Sequence, residues 1–187
     1  HPLKNMNVWG DGGVVTTNDD KLAEKIRLMR NHGLASRDEC VMVAGNCRLH
    51  TIQAVVALRL MGDVKNVSDT RIKNAALYDS LLRHIDGVII PPRRSYKRHV
   101  YHTYVIQVEQ RQKLITFLTE HGVETKVHYP VPIHFQKPYV ENYPFKGLPV
   151  CEAQAKRILS LPIHQYLTED QIRYSAGLIR KFYGAKS

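Results

Sequence analysis

The chain has 187 residues, 43% hydrophobic and 24% charged, with a formal net charge of +10 at pH 7, a balance that suits a soluble globular protein with a sizeable core. No apolar run approaches the roughly 20 residues that span a bilayer, and His1 does not begin a signal peptide. Cys40, Cys47 and Cys151 form no C-x-x-C pair and cannot close a disulfide framework, so a reduced, cytoplasmic setting is expected.

Along the chain, Val14-Val15-Thr16-Thr17 reads as a buried strand. Asn18 and Asp19 are turn and N-cap candidates for a helix carrying Leu22, Ile26 and Met29, with Gly33 as its stop. Residues 34–49 lack periodicity and read as loop. A second helix, from about His50 to Met61, is apolar around much of its circumference and is expected to be buried. A longer helix from about Val64 to Ile85 would link two domains, with Ile72, Ala76, Leu82 and Ile85 inward. Val100 to Val108 reads as a strand, Lys113 to His121 as a helix stopped by Gly122, and Val123 to Tyr129 as a returning strand. Pro130, Pro132, Pro138 and Pro144 argue against regular structure in the next stretch. Helices over Val150–Leu159 and Glu169–Tyr183 close the chain, the second opened by Thr168 with Gln171 in capping-box position.

The positive charge asks for an anionic counterpart: nucleic acid, a phosphorylated small molecule, or an acidic section of a longer protein. Arg93, Arg94, Lys97 and Arg98 cluster around Tyr96, but no nucleic-acid motif surrounds them, and a solvated loop is the favoured reading. Lys4 stands between a Pro-Leu turn and the glycine-rich run Gly10-Asp11-Gly12-Gly13. A lysine held near an aldehyde and partly desolvated can attack as the free amine, although such a lysine is more often simply a surface residue. Cys40, Cys47 and His50 match no common zinc spacing, so no metal is expected.

His1-Pro2-Leu3-Lys4-Asn5, followed by Gly10 to Asn18, resembles the lysine segment of the DegT/DnrJ/StrS family of sugar aminotransferases. Arg30-Asn31-His32-Gly33, Gly45-Asn46-Cys47-Arg48-Leu49 with Ile52-Gln53-Ala54, and Val127-His128-Tyr129-Pro130 with Pro132 and His134 resemble further motifs of that family, in its order. Leu159 to His164 with Leu167 to Ile172 resembles its closing motif. The resemblance implies an α/β architecture, the fold-type I pyridoxal-phosphate-dependent transferase fold. Residues 1–63 would be the tail of the large domain, and 64–187 the connecting helix and small α+β carboxy-terminal domain. It also implies that Lys4 carries pyridoxal 5'-phosphate and serves as proton shuttle, where related dehydratases have histidine. Asn46 would reach the cofactor phosphate of the opposite subunit, Arg48 would orient that loop or an anionic ligand, and His128 and His134 would lie near substrate.

Ordinary structural roles stay open for each: a turn brace for Asn46, an ion pair for Arg48, a satisfied strand residue for His128, a loop hydrogen bond for His134. His164, beside a helix start, reads as structural. Gly45 stands where the family usually has an aromatic residue, and Cys47 where a small hydroxyl residue is common. Family members are much longer, so the sequence, headed by His1 rather than Met, is expected to be a carboxy-terminal half. The other half would supply the aspartate facing the pyridine nitrogen, the aromatic residue stacked on the ring and most phosphate ligands. The implied complete protein is a cytoplasmic homodimer with shared active sites, moving an amino group, from glutamate, onto a nucleotide-linked keto-sugar. A catalytically silent dimerisation fragment and a basic nucleic-acid-binding module are the competing readings.

Overall fold

A computed structural model describes residues 1–143 and 147–185 and divides the chain into one unit from His1 to Val64 and another from Lys65 onward. In the first unit, the Asp19 carboxylate accepts the Leu22 N–H at 3.1 Å and opens α1, Asp20–Met29. The helix ends at Arg30, and the chain then turns at Gly33, where φ is +71°. A Cβ there would lie 1.8 Å from the Met42 carbonyl oxygen, so only glycine lets the two backbones approach. Isolated bridges join Asn31 to Asn46 and Leu34 to Cys40, giving the loop between α1 and α2 a defined shape. α2 spans Thr51–Met61 with His50 as its N-cap.

Two expectations fail in this unit. Val14 to Thr17 forms no strand, and Val14 is 69% exposed. A strand needs a neighbour for its N–H and C=O groups, and among the described residues none pairs with this run. α2 has no buried residue: Ile52, Val55, Leu58 and Met61 are all exposed. Its all-round apolar pattern is real, but nothing within the unit covers it.

The second unit holds nearly all of the core. α3, Val64–Leu82, buries Ser68, Arg71, Ala75, Tyr78 and Leu82, a stripe at spacings of three and four. Leu82 and Ile85 face inward as expected; Ala76 is exposed, because the stripe is centred on Ala75 and Tyr78. β1 (Val88–Ile89), β2 (Tyr104–Val108) and β3 (Ile158–Leu161) form an antiparallel sheet in that order, with Tyr104 opposite Leu161 and Ile106 opposite Leu159. Tyr104, Ile106 and Val108 are buried, the inward face that period-two alternation predicts. Against the sheet pack Leu114 and Leu118 of α4, Arg111–Glu120, and Ile172, Ala176 and Ile179 of α7, Glu169–Phe182. Burying each large aliphatic side chain contributes about 1.5–3 kcal/mol before entropy is counted.

β2 starts at Tyr104 rather than Val100, since the chain bends through Tyr101 at φ +44°. Val123 to Tyr129 is not a strand; only Lys126 bridges, to Ser160. Besides β1, the partner of β2 is instead β3, whose Ile158 and Leu159 fit a helical pattern equally well; α6 covers Pro149–Arg157. The proline stretch carries a 3₁₀ turn, Ile133–Phe135, and a short α5, Lys137–Asn142. Pro138 is tolerated because it falls in the first turn of α5, where a missing N–H breaks no helical bond; Pro144 lies outside the described residues. No helix among the described residues is long and apolar enough to cross a membrane.

Candidate active site

In the first unit, Lys4 sits in a tight turn whose backbone closes by Lys4 N–H to His1 O, 3.1 Å, and its side chain is exposed. The glycine-rich run beyond it is shaped by contact. A Cβ on Gly12 would come within 2.8 Å of both Val8 and Leu49. The Gln53 amide donates to Asp11 O at 3.1 Å, tying the run to the first turn of α2. In the sequence Gln53 is marked only by its motif; its place one turn into a helix opened by His50 is what lets it reach back.

Asn46 and Arg48 are brought together. The Asn46 Oδ1 accepts from Arg48 N–H at 3.2 Å and from Arg48 Nε at 3.1 Å. His32 N–H to Gly45 O, 2.8 Å, and Cys47 N–H to Arg30 O, 2.9 Å, hold this loop on the segment after α1. Asn46 is thus a turn brace, but only through its oxygen. Among the described residues its amide NH2 meets no acceptor, so two neutral donors remain on an exposed loop. Arg48 has no carboxylate partner among the described residues; its contact is Asn46.

In the second unit, His128 Nδ1 lies 2.8 Å from the Ser160 hydroxyl, and Ser160 is buried on β3. Backbone bonds between Lys126 and Ser160 fix that approach. The ring is half tied, with Nδ1 engaged. His134 is 5% exposed, and its Nε2 lies 3.1 Å from Glu152 Oε1, joining the 3₁₀ turn to α6. The same carboxylate oxygen accepts Leu148 N–H at 2.8 Å; that bond first, then His134, holds the Glu152 carboxyl below its ordinary range. Neither Ser160 nor Glu152 was singled out in the sequence, since nothing local marks a serine or glutamate as a histidine's partner.

His164 accepts Tyr166 N–H at Nδ1, and its pKa is lowered, by burial first and then by Arg71. Arg71 is the largest omission of the sequence reading. Its buried guanidinium donates to the carbonyls of Tyr101, His102 and Ile163 and to Gln165 Oε1, clamping the entry to β2 to the segment after β3. Burial lowers its pKa. A charged residue on the inward stripe of α3 was the available signal.

The model of the DegT/DnrJ/EryC1/StrS aminotransferase family matches residues 1–180. A pleiotropic regulatory protein of Geobacillus stearothermophilus is 37% identical over 97% of the chain and 50% of its own length. The UDP-2-acetamido-2-deoxy-3-oxo-D-glucuronate aminotransferase of Pseudomonas aeruginosa is 36% identical, over 92% of this chain and 47% of its own. The crystal structure of S. venezuelae DesV in complex with a ketimine intermediate superposes with a TM-score of 0.95 at 32% identity, covering 100% of this chain and 51% of that one. The chain spans about half the length of the curated relatives it matches. A match that takes in the lysine turn, the Asn46 loop and both histidine segments leaves one assignment: the chain belongs to the DegT/DnrJ/EryC1/StrS aminotransferase family.

Proposed function

We propose that this chain contributes the cofactor lysine and the small domain of a pyridoxal-phosphate-dependent aminotransferase. The enzyme would move an amino group, from glutamate, onto a keto-sugar attached to a nucleotide. The observation that carries this reading is the family match across residues 1–180, which spans Lys4 and every motif around it. The relative from P. aeruginosa, named for an aminotransferase acting on a UDP-sugar, supports the substrate class. On this reading residues 1–63 are the tail of the large domain and 64–187 the connecting helix and small domain of a fold-type I homodimer. Three free thiols suit a reducing cytoplasm.

The donor set fits an aldehyde that carries a phosphate: an exposed primary amine on a short turn, an amide with two unused N–H donors, and a guanidinium held beside it. When bound, pyridoxal phosphate supplies an aldehyde for an amine and a ring that withdraws electrons from the substrate carbon. Lys4 Nζ is the amine that would hold the cofactor's aldehyde and, when free, would carry the proton to and from the substrate carbon. The Asn46 amide would donate to the phosphate of the opposite subunit without adding a charge of its own. Arg48, steadied by Asn46 Oδ1, presents its remaining guanidinium N–H groups to an anion. His128, anchored through Nδ1 on Ser160, offers Nε2 to the sugar; His134, paired with Glu152, keeps the proline turn in place beside it.

The test is covalent mapping. The 187-residue chain is incubated with pyridoxal phosphate, reduced with borohydride and digested with trypsin. The pyridoxyl group is expected on Lys4, in a peptide running from His1 to Lys21, because a modified lysine blocks cleavage at position 4. Label spread over the surface lysines would sink the assignment of Lys4, and no label would favour a catalytically silent fragment.

A further inference from the structure

We propose that the loop of residues 93–98 in the second unit is a binding site for a diphosphate group. The loop walls a cavity of about 830 Å³ together with Ile72, Pro91 and Tyr101, and among the described residues no acidic one lines it. Its two roots are pinned to α3. Arg93 pairs with the buried Asp79 and lies over the Tyr101 ring at 4.9 Å; Arg98 pairs with Asp69 at 2.6 Å. Between the roots, Lys97 N–H donates to Arg94 O at 3.0 Å and closes a turn.

That construction leaves two cations without counter-charge. Among the described residues neither Arg94 nor Lys97 meets a carboxylate: Arg94 Nη1 donates to Tyr96 OH at 2.8 Å, and Lys97 Nζ stands over the Tyr96 ring at 5.5 Å. Both are held by the same aromatic ring, three residues apart, so like charges are confined rather than free to spread. Tyr101 N–H donates to His99 Nδ1 at 3.1 Å, which makes the neutral ring the Nε2–H tautomer and adds a donor to the cavity lining. A guanidinium, an ammonium and an imidazole N–H on a concave surface suit an anion carrying at least two charges and several acceptor oxygens. A nucleic-acid strand asks for a long basic track with successive exposed stacking rings. Among the described residues of this loop the exposed rings are Tyr96, already engaged by Arg94 and Lys97, and the imidazole of His99, and two of the four cations are already neutralised. The inference stands apart from the amino-transfer reading, since it uses none of the residues assigned to it.

Calorimetric titration of the 187-residue chain with inorganic diphosphate at low ionic strength tests the site. Saturable binding is expected. Arg94→Gln with Lys97→Gln should weaken it at least about tenfold, the loss of two charge-assisted contacts. Lys25→Gln with Arg27→Gln, the same charge removed from α1, should change it less than about twofold. Uridine diphosphate in place of inorganic diphosphate separates the sources: tighter, loop-dependent binding assigns the group to a nucleotide, and equal affinity to the free anion. Amide shifts on adding diphosphate to the unaltered chain should centre on residues 93–99, a readout independent of how the variants fold. No binding, equal loss in the two double variants, or shifts elsewhere would overturn the proposal. So would tighter, equally loop-dependent binding of a single-stranded oligonucleotide.

Discussion

Asp79 is buried, a costly position for a carboxylate, and its environment shows what makes it tolerable. It accepts the Tyr104 hydroxyl at 2.7 Å and pairs with Arg93, which is itself partly exposed. Burial first, then the bond to Asp79, pushes the Tyr104 hydroxyl far above its usual pKa, so it stays a donor throughout the accessible pH range. Asp79→Ala would strand both partners, and the expected cost is about 3 kcal/mol. Tyr104→Phe removes one donor and should cost about 1–2 kcal/mol. Because the two changes break the same bond, the double variant should lose measurably less than the sum in urea denaturation. Strict additivity would mean that the pair is not coupled. The sequence concealed this network: an aspartate on a polar helix reads as solvated, and only the arrival of β2 buries it. The same holds for Arg71. The family was different, because His1 to Asn5 and Gly10 to Gly13 carry its pattern in the chain itself.

Helix starts were legible because their signals are local. Thr168 accepts Gln171 N–H at 3.2 Å, and Gln171 Oε1 accepts Thr168 N–H at 3.0 Å, the reciprocal pair that the spacing predicts. α7 supplies Ile172, Ala176 and Ile179 to the core, so fraying its first turn loosens packing as well as a cap. Thr168→Ala is expected to lower stability by about 1 kcal/mol, and Thr168→Ser by a few tenths. A thermal melt distinguishes them; equal losses would deny the hydroxyl its role. Strands were less legible, because pairing is not written locally. Residues 14–17 have strand chemistry and no neighbour, whereas Ile158 to Leu161 follow a helix without a break and pair with β2 along their whole length. A short, mostly apolar run belongs equally to a helix end or a buried strand until its partner is known.

Across the whole molecule, the core is unevenly divided. Of the buried hydrophobic residues described, Val8 alone belongs to the first unit; the rest lie beyond residue 64. Lys65 onward has a three-stranded sheet, two helices packed on it and the α3 stripe, enough to fold without the first unit. The first unit is held instead by turns, two isolated bridges and the Gln53 tie, and it exposes Ile52, Val55, Leu58 and Met61 on one helix. Contacts of that kind open at low free energy, since few apolar groups are buried by closing them. A polypeptide of residues 65–187 should therefore keep its far-ultraviolet spectrum and melt within a few degrees of the main transition of the 187-residue chain. The longer chain should bind a hydrophobic dye through its α2 face, which the shorter one lacks, and proteases should cut it first before residue 65. If removing residues 1–64 instead abolished the cooperative transition, the packing assigned to the second unit would depend on the first, and the division drawn at Val64 would be wrong.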